Sequence, residues 1–313
     1  MNAGLALLIA GWVFVLIWVP IVVLSQRKMH PKALFTLFFA ELWERFSFYG
    51  MRAFLILYMT SRLFDKLSQS DADGASYGVY GAFNALLYAS PLLGGMLADK
   101  LIGFRKAIIT GGLFMSFGQI VLAYNAFNGD TELLFFVGLS FLAIGNGFFK
   151  PNISSFLGTF YDRNDNRKDS AFTIFYMGIN TGGALGPIVC GFFGDTGNNG
   201  DFKWAFLAGG IAMLLSVVTQ MLFQKKYLVD ADGASIGDAP NDAPKLFQKL
   251  PVMVGFLLLI SLVTIALVYI DIKVVSYLFW LLLACILLIA FVIFSDKSLD
   301  LIQKKKVAVL FMV

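Results

Sequence analysis

The stretch Glu41-Leu-Trp-Glu44-Arg45-Phe-Ser-Phe-Tyr-Gly-Met-Arg52 decides the fold class of this chain. It places two acids and two arginines in a run, residues 33–60, that is otherwise apolar enough to span a bilayer. At about 100° per helical residue, these four charges fall together with Phe48 and Tyr49 within an arc of about 140°. A charge on the lipid face of a spanning helix costs about 3 kcal/mol or more, so this face is predicted to line a buried polar path.

Two interpretations of this charged face are open. Glu41 and Arg45 are spaced i,i+4 with the acid first, which favours an ion pair within the helix. Such a pair is typical of a structural salt bridge that holds helices together. Two acids and two arginines on one face exceed what a single pair requires, so a path for charge or solute is favoured.

The composition predicts an all-α polytopic membrane protein. Hydrophobic residues make up 58% of the 313 residues, and the mean hydropathy of +0.77 is well above that of a soluble domain. A helix needs roughly 20 residues to cross a bilayer. Apolar runs close to this length lie at 3–24, 33–60, 77–97, 107–127, 132–157, 170–193, 204–223, 251–270 and 274–294, and a further one begins at Val307.

The distribution of Lys and Arg predicts the orientation. If the 25–32 loop is cytoplasmic and the loops then alternate, seventeen of the 24 basic residues lie on the inner side and four on the outer side. Arg45, Arg52 and Lys150 remain within the membrane. This bias follows the positive-inside rule. The net charge of +4 therefore reflects topology, and a nucleic-acid partner is not expected.

Further polar residues interrupt the later spans. Lys150 precedes Pro151 in the fifth span, where either snorkelling to the cytoplasmic surface or a role in the path is possible. Tyr77, Tyr80 and Tyr88 lie on one face of the third span. The first two suit anchoring at the outer interface as well as lining a path, whereas Tyr88 lies deeper.

The sixth span combines small residues with one amide. Gly178, Gly182 and Gly186 are four residues apart, a spacing that lets a neighbouring backbone approach closely. Asn180 lies among them at mid-membrane depth. The span is therefore predicted to pack tightly against another helix and to present a polar group.

The loop after the third span carries a second motif. It runs from Gly95 through Asp99 to Arg105 and Lys106. Small residues allow tight packing at the helix end, and Asp99 can pair with Arg105 or cap a nearby helix. Such a contact at the cytoplasmic rim would latch one conformation.

Cysteine and histidine are scarce. Cys190 and Cys285 both lie in apolar helices, where a small buried side chain is favoured over a disulfide. His30 is the only histidine and lies in a loop. Neither a metal site nor a bound cofactor is expected. Any proton that crosses the membrane is expected to be carried by carboxylates.

The chain is predicted to have five parts. Met1–Leu24 lacks a basic leader region and a cleavage site, so a retained helix is favoured over a signal peptide. The expected parts are an extra N-terminal helix and loop (1–28), a six-helix bundle (29–223), a flexible solvated cytoplasmic linker (224–250), a transmembrane helix pair (251–296) and a cytoplasmic loop that leads into a truncated helix (297–313).

Three motifs resemble a known family. The Gly95 to Lys106 loop is similar to the loop shared by the major facilitator superfamily. The stretch Glu41-x-x-Glu44-Arg45-Phe-x-Phe-Tyr-Gly50 resembles the hallmark of its proton-dependent oligopeptide transporters. Phe172-x-x-Phe-Tyr-x-x-Ile-Asn180-x-Gly-Gly183 resembles that family's second motif. The resemblance covers roughly residues 30–223, and the helix pair is similar to that of prokaryotic members.

The resemblance implies a symporter, not an enzyme, that imports di- and tripeptides into a bacterial cell by alternating access. It would be a multi-pass inner membrane protein with the proton gradient as its energy source and no cofactor. The implied proton-coupling residues are Glu41, Glu44, Arg45 and Lys150, and the implied substrate-binding residues are Arg45, Tyr49, Arg52, Tyr88, Lys150 and Asn180.

The physics of a buried carboxylate agrees with such coupling. Burial favours the neutral form of a glutamate and an adjacent arginine favours its charged form. Making and breaking such a pair would load and release a proton.

Two departures from the family pattern limit what the resemblance implies. Phe48 stands where many members have a tyrosine, which removes one hydroxyl. The second six-helix bundle, expected as a partner within the same chain, is missing, so the chain is expected to be a fragment. A transporter of nitrate or another small anion, or a half-protein that does not transport, are the alternatives.

Overall fold

A computed structural model describes residues 17–240 except 163, 195 and 231, together with a few isolated positions outside that range. The regular structure of this part is helical. The helices are α1 (Ile17–Gln26), α2 (Lys32–Tyr58), α3 (Gln69–Leu97), α4 (Phe104–Asn128), α5 (Glu132–Gly158), α6 (Arg167–Gly194) and α7 (Phe202–Tyr227). All six helices predicted between residues 33 and 223 are therefore present. The predicted helix pair (251–296), the last segment (297–313) and most of the first helix lie outside the described residues.

Four described helices are long and apolar enough to cross a membrane. They are Gln69–Ile102, Phe104–Asn128, Glu132–Gly158 and Phe202–Tyr227. α2 is less apolar because it carries the charged face, and α6 is less apolar because it is rich in glycine. The charged motif of α2 and the glycine motif of α6 thus lie on helices outside this set of four.

α2 packs extensively against α6 and α7. The three glycines of α6 make the close approach that their spacing predicts. A Cβ atom at Gly182 or Gly186 would overlap a carbonyl oxygen of α2, at Leu42 and Phe46 respectively, and one at Gly178 would meet the Phe38 ring at 2.8 Å. α2 and α6 are consequently held backbone to backbone beside the charged residues.

A second set of contacts joins α5 to α3 and α4. A Cβ at Gly94 of α3 would overlap the Gly147 carbonyl of α5. Ser90 donates a hydrogen bond to the Ala143 carbonyl at 2.7 Å. α3 is therefore attached to the bundle mainly through α5, which leaves much of its surface exposed.

The segment after α7 folds back onto the bundle. Leu228 is fully buried, and the Arg105 backbone N–H donates to the Gly237 carbonyl at 3.1 Å. A Cβ at Gly237 would meet the Phe156 ring at 2.5 Å. Leu228 and Gly237, which lie within the predicted linker (224–250), therefore contact the bundle. The flexibility of the linker stays a prediction.

Candidate functional site

The charged face of α2 forms a compact buried cluster. Arg45 Nε donates to Glu41 Oε1 at 2.8 Å and lies 2.5 Å from Glu44 Oε2. All three residues are at most 4% exposed. The predicted ion pair between Glu41 and Arg45 is present, and Glu44 joins it.

The close packing of α6 shapes this cluster. A Cβ atom at Gly182 would lie 3.1 Å from the Cβ of Arg45. The glycine leaves the space in which the arginine side chain begins. The small-residue motif of α6 and the charged motif of α2 thus meet at one place.

The cluster keeps unused hydrogen-bonding capacity. Glu41 Oε2, Glu44 Oε1 and Arg45 Nη2 are buried and make no hydrogen bond within the described residues, and Glu44 Oε2 has only its ion-pair contact with Arg45. A buried polar atom without a partner costs about 1–3 kcal/mol. An arrangement that carries this cost is suited to a change of partner, such as protonation of a carboxylate or its exchange for another anion.

Arg52 forms a second centre about two turns farther along α2. Its Nε donates to the Tyr80 hydroxyl of α3 at 2.5 Å, and its guanidinium lies 5.5 Å from the centre of the Tyr80 ring. Tyr80 was predicted only as an interfacial anchor or a path-lining residue. The structure makes it the direct partner of an intramembrane arginine.

Phe48 links the two arginine centres. Its ring centre lies 5.9 Å from the guanidinium carbon of Arg45 and 5.9 Å from that of Arg52. These distances are within the range of cation–π attraction. Phe48, which departs from the family pattern, therefore contacts both arginines. Its position three residues after Arg45 and four before Arg52 is consistent with these contacts, because such spacings put side chains on one face of a helix.

Lys150 joins this centre by its charge. It interacts electrostatically with Glu44, Glu41, Arg45 and Arg52, although its side chain is exposed in the described structure. All five intramembrane ionisable residues singled out in the sequence are thus brought together.

The predicted pocket residues lie on more open surfaces. Tyr49 is 37% exposed, and a Cβ at Gly183 of α6 would lie 3.1 Å from its ring. Tyr88 is 69% exposed, and Asn180 is also exposed. Neither Tyr88 nor Asn180 makes a side-chain hydrogen bond with another described residue, so their assignment to a pocket stays a prediction.

The predicted latch is built differently from the expectation. Arg105 is buried, and its Nε donates to the Ile236 carbonyl at 2.6 Å while a second nitrogen donates to the Leu228 carbonyl. Asp99 is exposed and makes no ion pair in the described part of the chain, so the predicted pairing with Arg105 is wrong. The guanidinium reaches two backbone carbonyls of the segment after α7 instead.

The other two latch residues contribute less. Lys106 is exposed, and a Cβ at Gly95 would make only an ordinary contact, 3.8 Å from Pro151. Gly94, its neighbour, makes the close helix contact instead. Ala98–Ile102, expected as loop, forms a π-helical turn that continues α3.

Sequence reasoning missed a polar network around His30. This residue is only 5% exposed; its Nδ1 lies 3.0 Å from the Tyr161 hydroxyl and its Nε2 lies 3.3 Å from Ser170 Oγ. Burial and the nearby Arg167 lower the pKa of His30, and Asp165 opposes this shift. Burial likewise raises the pKa of Tyr161. No local pattern signals these contacts, because the partners are more than 130 residues apart in sequence.

The described residues form a bundle of long apolar helices with a buried charged centre. Residues 105–238 match the sequence model of the POT family. The uncharacterized transporter YclF of Bacillus subtilis is 38% identical over 222 residues, which is 69% of this chain and 42% of that protein. The peptide transporter YePEPT of Yersinia enterocolitica is 40% identical over 189 residues, or 60% of this chain and 36% of that protein.

Solved structures give the same result. A crystal structure of the peptide transporter POT in complex with sulfate matches with a TM-score of 0.68 at 31% identity, over 89% of this chain and 56% of that one. A POT family transporter in complex with 5-aminolevulinic acid matches with a TM-score of 0.70 at 30% identity, over the same two shares. The chain belongs to the POT family and corresponds to the N-terminal half of its transporters. It spans less than half the length of the curated relatives named above.

Proposed function

We propose that this bundle is the N-terminal half of a proton-coupled symporter that imports di- and tripeptides across a bacterial inner membrane by alternating access. The observation that carries the proposal is the buried Glu41–Arg45–Glu44 cluster in a POT-family bundle. Two carboxylates share one guanidinium in a place where each unpaired charge is costly. Such a group can gain or lose a proton when the contacts of the arginine change.

The proton step follows from competition for Arg45. While both carboxylates lie against the guanidinium, the ionised form is stabilised by charge. If rocking or an incoming substrate draws Arg45 away from Glu44, burial then favours the protonated acid. Proton uptake is thereby linked to the position of one side chain.

The substrate step uses the cations beside this cluster. A peptide carboxylate would be attracted by Arg52 and Lys150, both partly accessible in the described structure. Arg52 presents a planar donor set that suits a carboxylate, whereas Lys150 acts as a mobile point charge. Tyr49 and Tyr80 would border this anion site, and Tyr88 and Asn180 would contact the rest of the peptide.

An inorganic anion is the second candidate substrate, because the intramembrane centre holds three cations and two acids. A net positive site attracts nitrate or a small organic acid as readily as a peptide carboxylate. A dipeptide also offers an amino group, which an inorganic anion does not. Competition between the two therefore separates these substrates.

The test is uptake of a labelled dipeptide into proteoliposomes that contain the full-length protein, of which residues 1–313 form this bundle and its flanking segments. An inward proton gradient should drive uptake, and Glu44→Gln should abolish this accumulation while leaving dipeptide exchange measurable. Lys150→Ala should weaken both processes. Glu132→Gln is the matched control, because Glu132 is an exposed acid outside the cluster.

Three outcomes would overturn parts of the proposal. Uptake that does not respond to the gradient would remove the proton coupling. Full accumulation by Glu44→Gln would remove the assigned role of the cluster. Uptake of nitrate, with no uptake of any dipeptide, would replace the peptide by the anion.

A further inference from the structure

The first helix, which the transport proposal does not use, encloses an apolar cleft against α2 and α6. The cleft has a volume of about 450 Å³. Its lining is almost entirely aliphatic and aromatic, and consists of Val19, Pro20, Val23, Leu24, Arg27, Phe35, Phe38, Phe39, Leu42 and Thr181. A cleft of this kind suits a hydrocarbon chain.

The two polar side chains in the lining have different situations. The Thr181 hydroxyl donates to the Met177 carbonyl of its own helix at 2.7 Å, so it requires nothing from a ligand. Arg27 is exposed and makes no side-chain hydrogen bond or ion pair within the described residues. The cleft thus presents one available positive charge on an otherwise apolar wall.

The dimensions of the cleft match one leaflet of a membrane. Arg27 follows the end of α1, near the cytoplasmic surface predicted from the charge distribution. Leu42 lies ten residues beyond the start of α2 at Lys32, about 15 Å along the helix axis. The hydrocarbon core of a bilayer is about 30 Å thick, so the cleft reaches about half of its depth.

The surroundings of the cleft also suit lipid. Ile17, Trp18 and Ile21 of α1, which do not line the cleft, are each at least 50% exposed, as expected for a helix whose outer side contacts acyl chains. The cytoplasmic leaflet carries the anionic phospholipids that attract Lys and Arg close to the membrane surface. A soluble anion would gain only the arginine, whereas a phospholipid gains the arginine and the apolar wall together.

We propose that this cleft binds one anionic phospholipid of the cytoplasmic leaflet, with an acyl chain between α1 and α2 and its phosphate on Arg27. The bound lipid fastens α1 to the bundle. The site is separate from the charged centre of α2, and the proposal stands whether or not the protein transports peptides.

The experiment is native mass spectrometry of the complete gene product in detergent, titrated with phosphatidylglycerol or phosphatidylcholine of the same acyl chains. We expect one tight phosphatidylglycerol and weaker binding of phosphatidylcholine. Arg27→Gln should weaken phosphatidylglycerol binding about fivefold, the factor that one surface cation contributes to attraction of anionic lipid. Leu24→Trp should reduce binding of both lipids, because the larger side chain fills the cleft and leaves Arg27 intact.

Lys28→Gln provides the matched control. It removes the same charge from the next residue, which does not line this cleft, and it should change binding by less than about twofold. Equal loss in Arg27→Gln and Lys28→Gln would overturn the proposal in favour of general surface attraction. Equal binding of the two lipids, or unchanged binding in Leu24→Trp, would overturn it as well.

Discussion

Arg45 and Arg105 are both buried arginines, but their partners differ in kind. Arg45 lies in the middle of α2 against two carboxylates within four residues of it. Arg105 lies at the cytoplasmic rim and donates to carbonyls of Leu228 and Ile236, more than 120 residues away. Arg45 thus pairs with charged carboxylates, whereas Arg105 pairs with neutral backbone carbonyls.

The comparison indicates two uses of a buried cation. A carboxylate can change its protonation state, so the Arg45 cluster can take part in proton movement. A backbone carbonyl cannot, so Arg105 holds a segment in place and responds only to movement of that segment. Under the proposed function, an arginine thus takes part in proton coupling at the centre, whereas another arginine attaches a segment at the rim.

The largest effect is expected when the central cluster loses its cation. Arg45→Leu should destabilise the protein by about 3–5 kcal/mol, because two buried acids lose their partner. The measurement is thermal unfolding in detergent. Arg45→Lys, which keeps the charge, should recover part of the loss; equal melting of the leucine variant and the wild type would show that the cluster contributes no net stability.

A smaller and local effect is expected at the rim. Arg105→Gln removes hydrogen bonds from a charged donor to two backbone carbonyls, each worth about 1.5–3 kcal/mol. The segment after α7 should then detach from the bundle more often. Hydrogen exchange of this segment should become at least tenfold faster, with little change in α2. Lys106→Gln is the matched control, because its side chain is exposed; unchanged exchange in Arg105→Gln would refute the attachment.

The Arg52–Tyr80 hydrogen bond between α2 and α3 should contribute less to stability than the contacts of Arg45 and Arg105. Tyr80→Phe removes the acceptor for Arg52 Nε and should lower the free energy of unfolding by about 1 kcal/mol. Tyr77→Phe makes the same change one turn away, at a tyrosine that is 62% exposed, and should have no effect. If the two variants unfold alike, the Arg52–Tyr80 bond does not stabilise the bundle.

The smallest effect is expected from pH at the His30 network. Ser170 donates to the Arg167 carbonyl at 2.9 Å, so its oxygen accepts from His30 Nε2 and the neutral ring accepts from Tyr161 at Nδ1. Because the pKa of His30 is lowered from its ordinary 6.5, the unfolded state binds the proton first, and stability falls as pH drops below about 6.5.

Exchange of the 159–162 turn should therefore be faster at pH 5.5 than at pH 7.5, after correction for the intrinsic pH dependence. His30→Gln should remove this difference. Asp165, whose pKa is lowered to about 2 by its bonds with Arg167, loses its contribution only as pH falls from about 4 towards 2 and does not interfere. A pH response that survives in His30→Gln would assign it to another group.

Much of the architecture could be predicted because its causes are local. Apolar runs of about 20 residues indicate spanning helices, and the six expected between residues 33 and 223 are confirmed. The i,i+4 spacing of Glu41 and Arg45 and the four-residue spacing of the α6 glycines are properties of a single helix, so both predicted contacts are confirmed. The predicted Asp99–Arg105 ion pair is wrong, because the guanidinium of Arg105 instead donates to backbone carbonyls more than 120 residues away in sequence.

The sequence by itself determined the helices, their membrane character and the residues that carry buried charge, since each depends on neighbours within one or two turns. Apart from the Glu41–Arg45 pair, only the tertiary structure decided which partners the buried polar side chains take. It joined Arg52 to Tyr80, Arg105 to Leu228 and Ile236, and His30 to Tyr161 and Ser170. The physical reason is that a buried polar group must find a partner wherever helix packing places one, and that place is not encoded in local spacing.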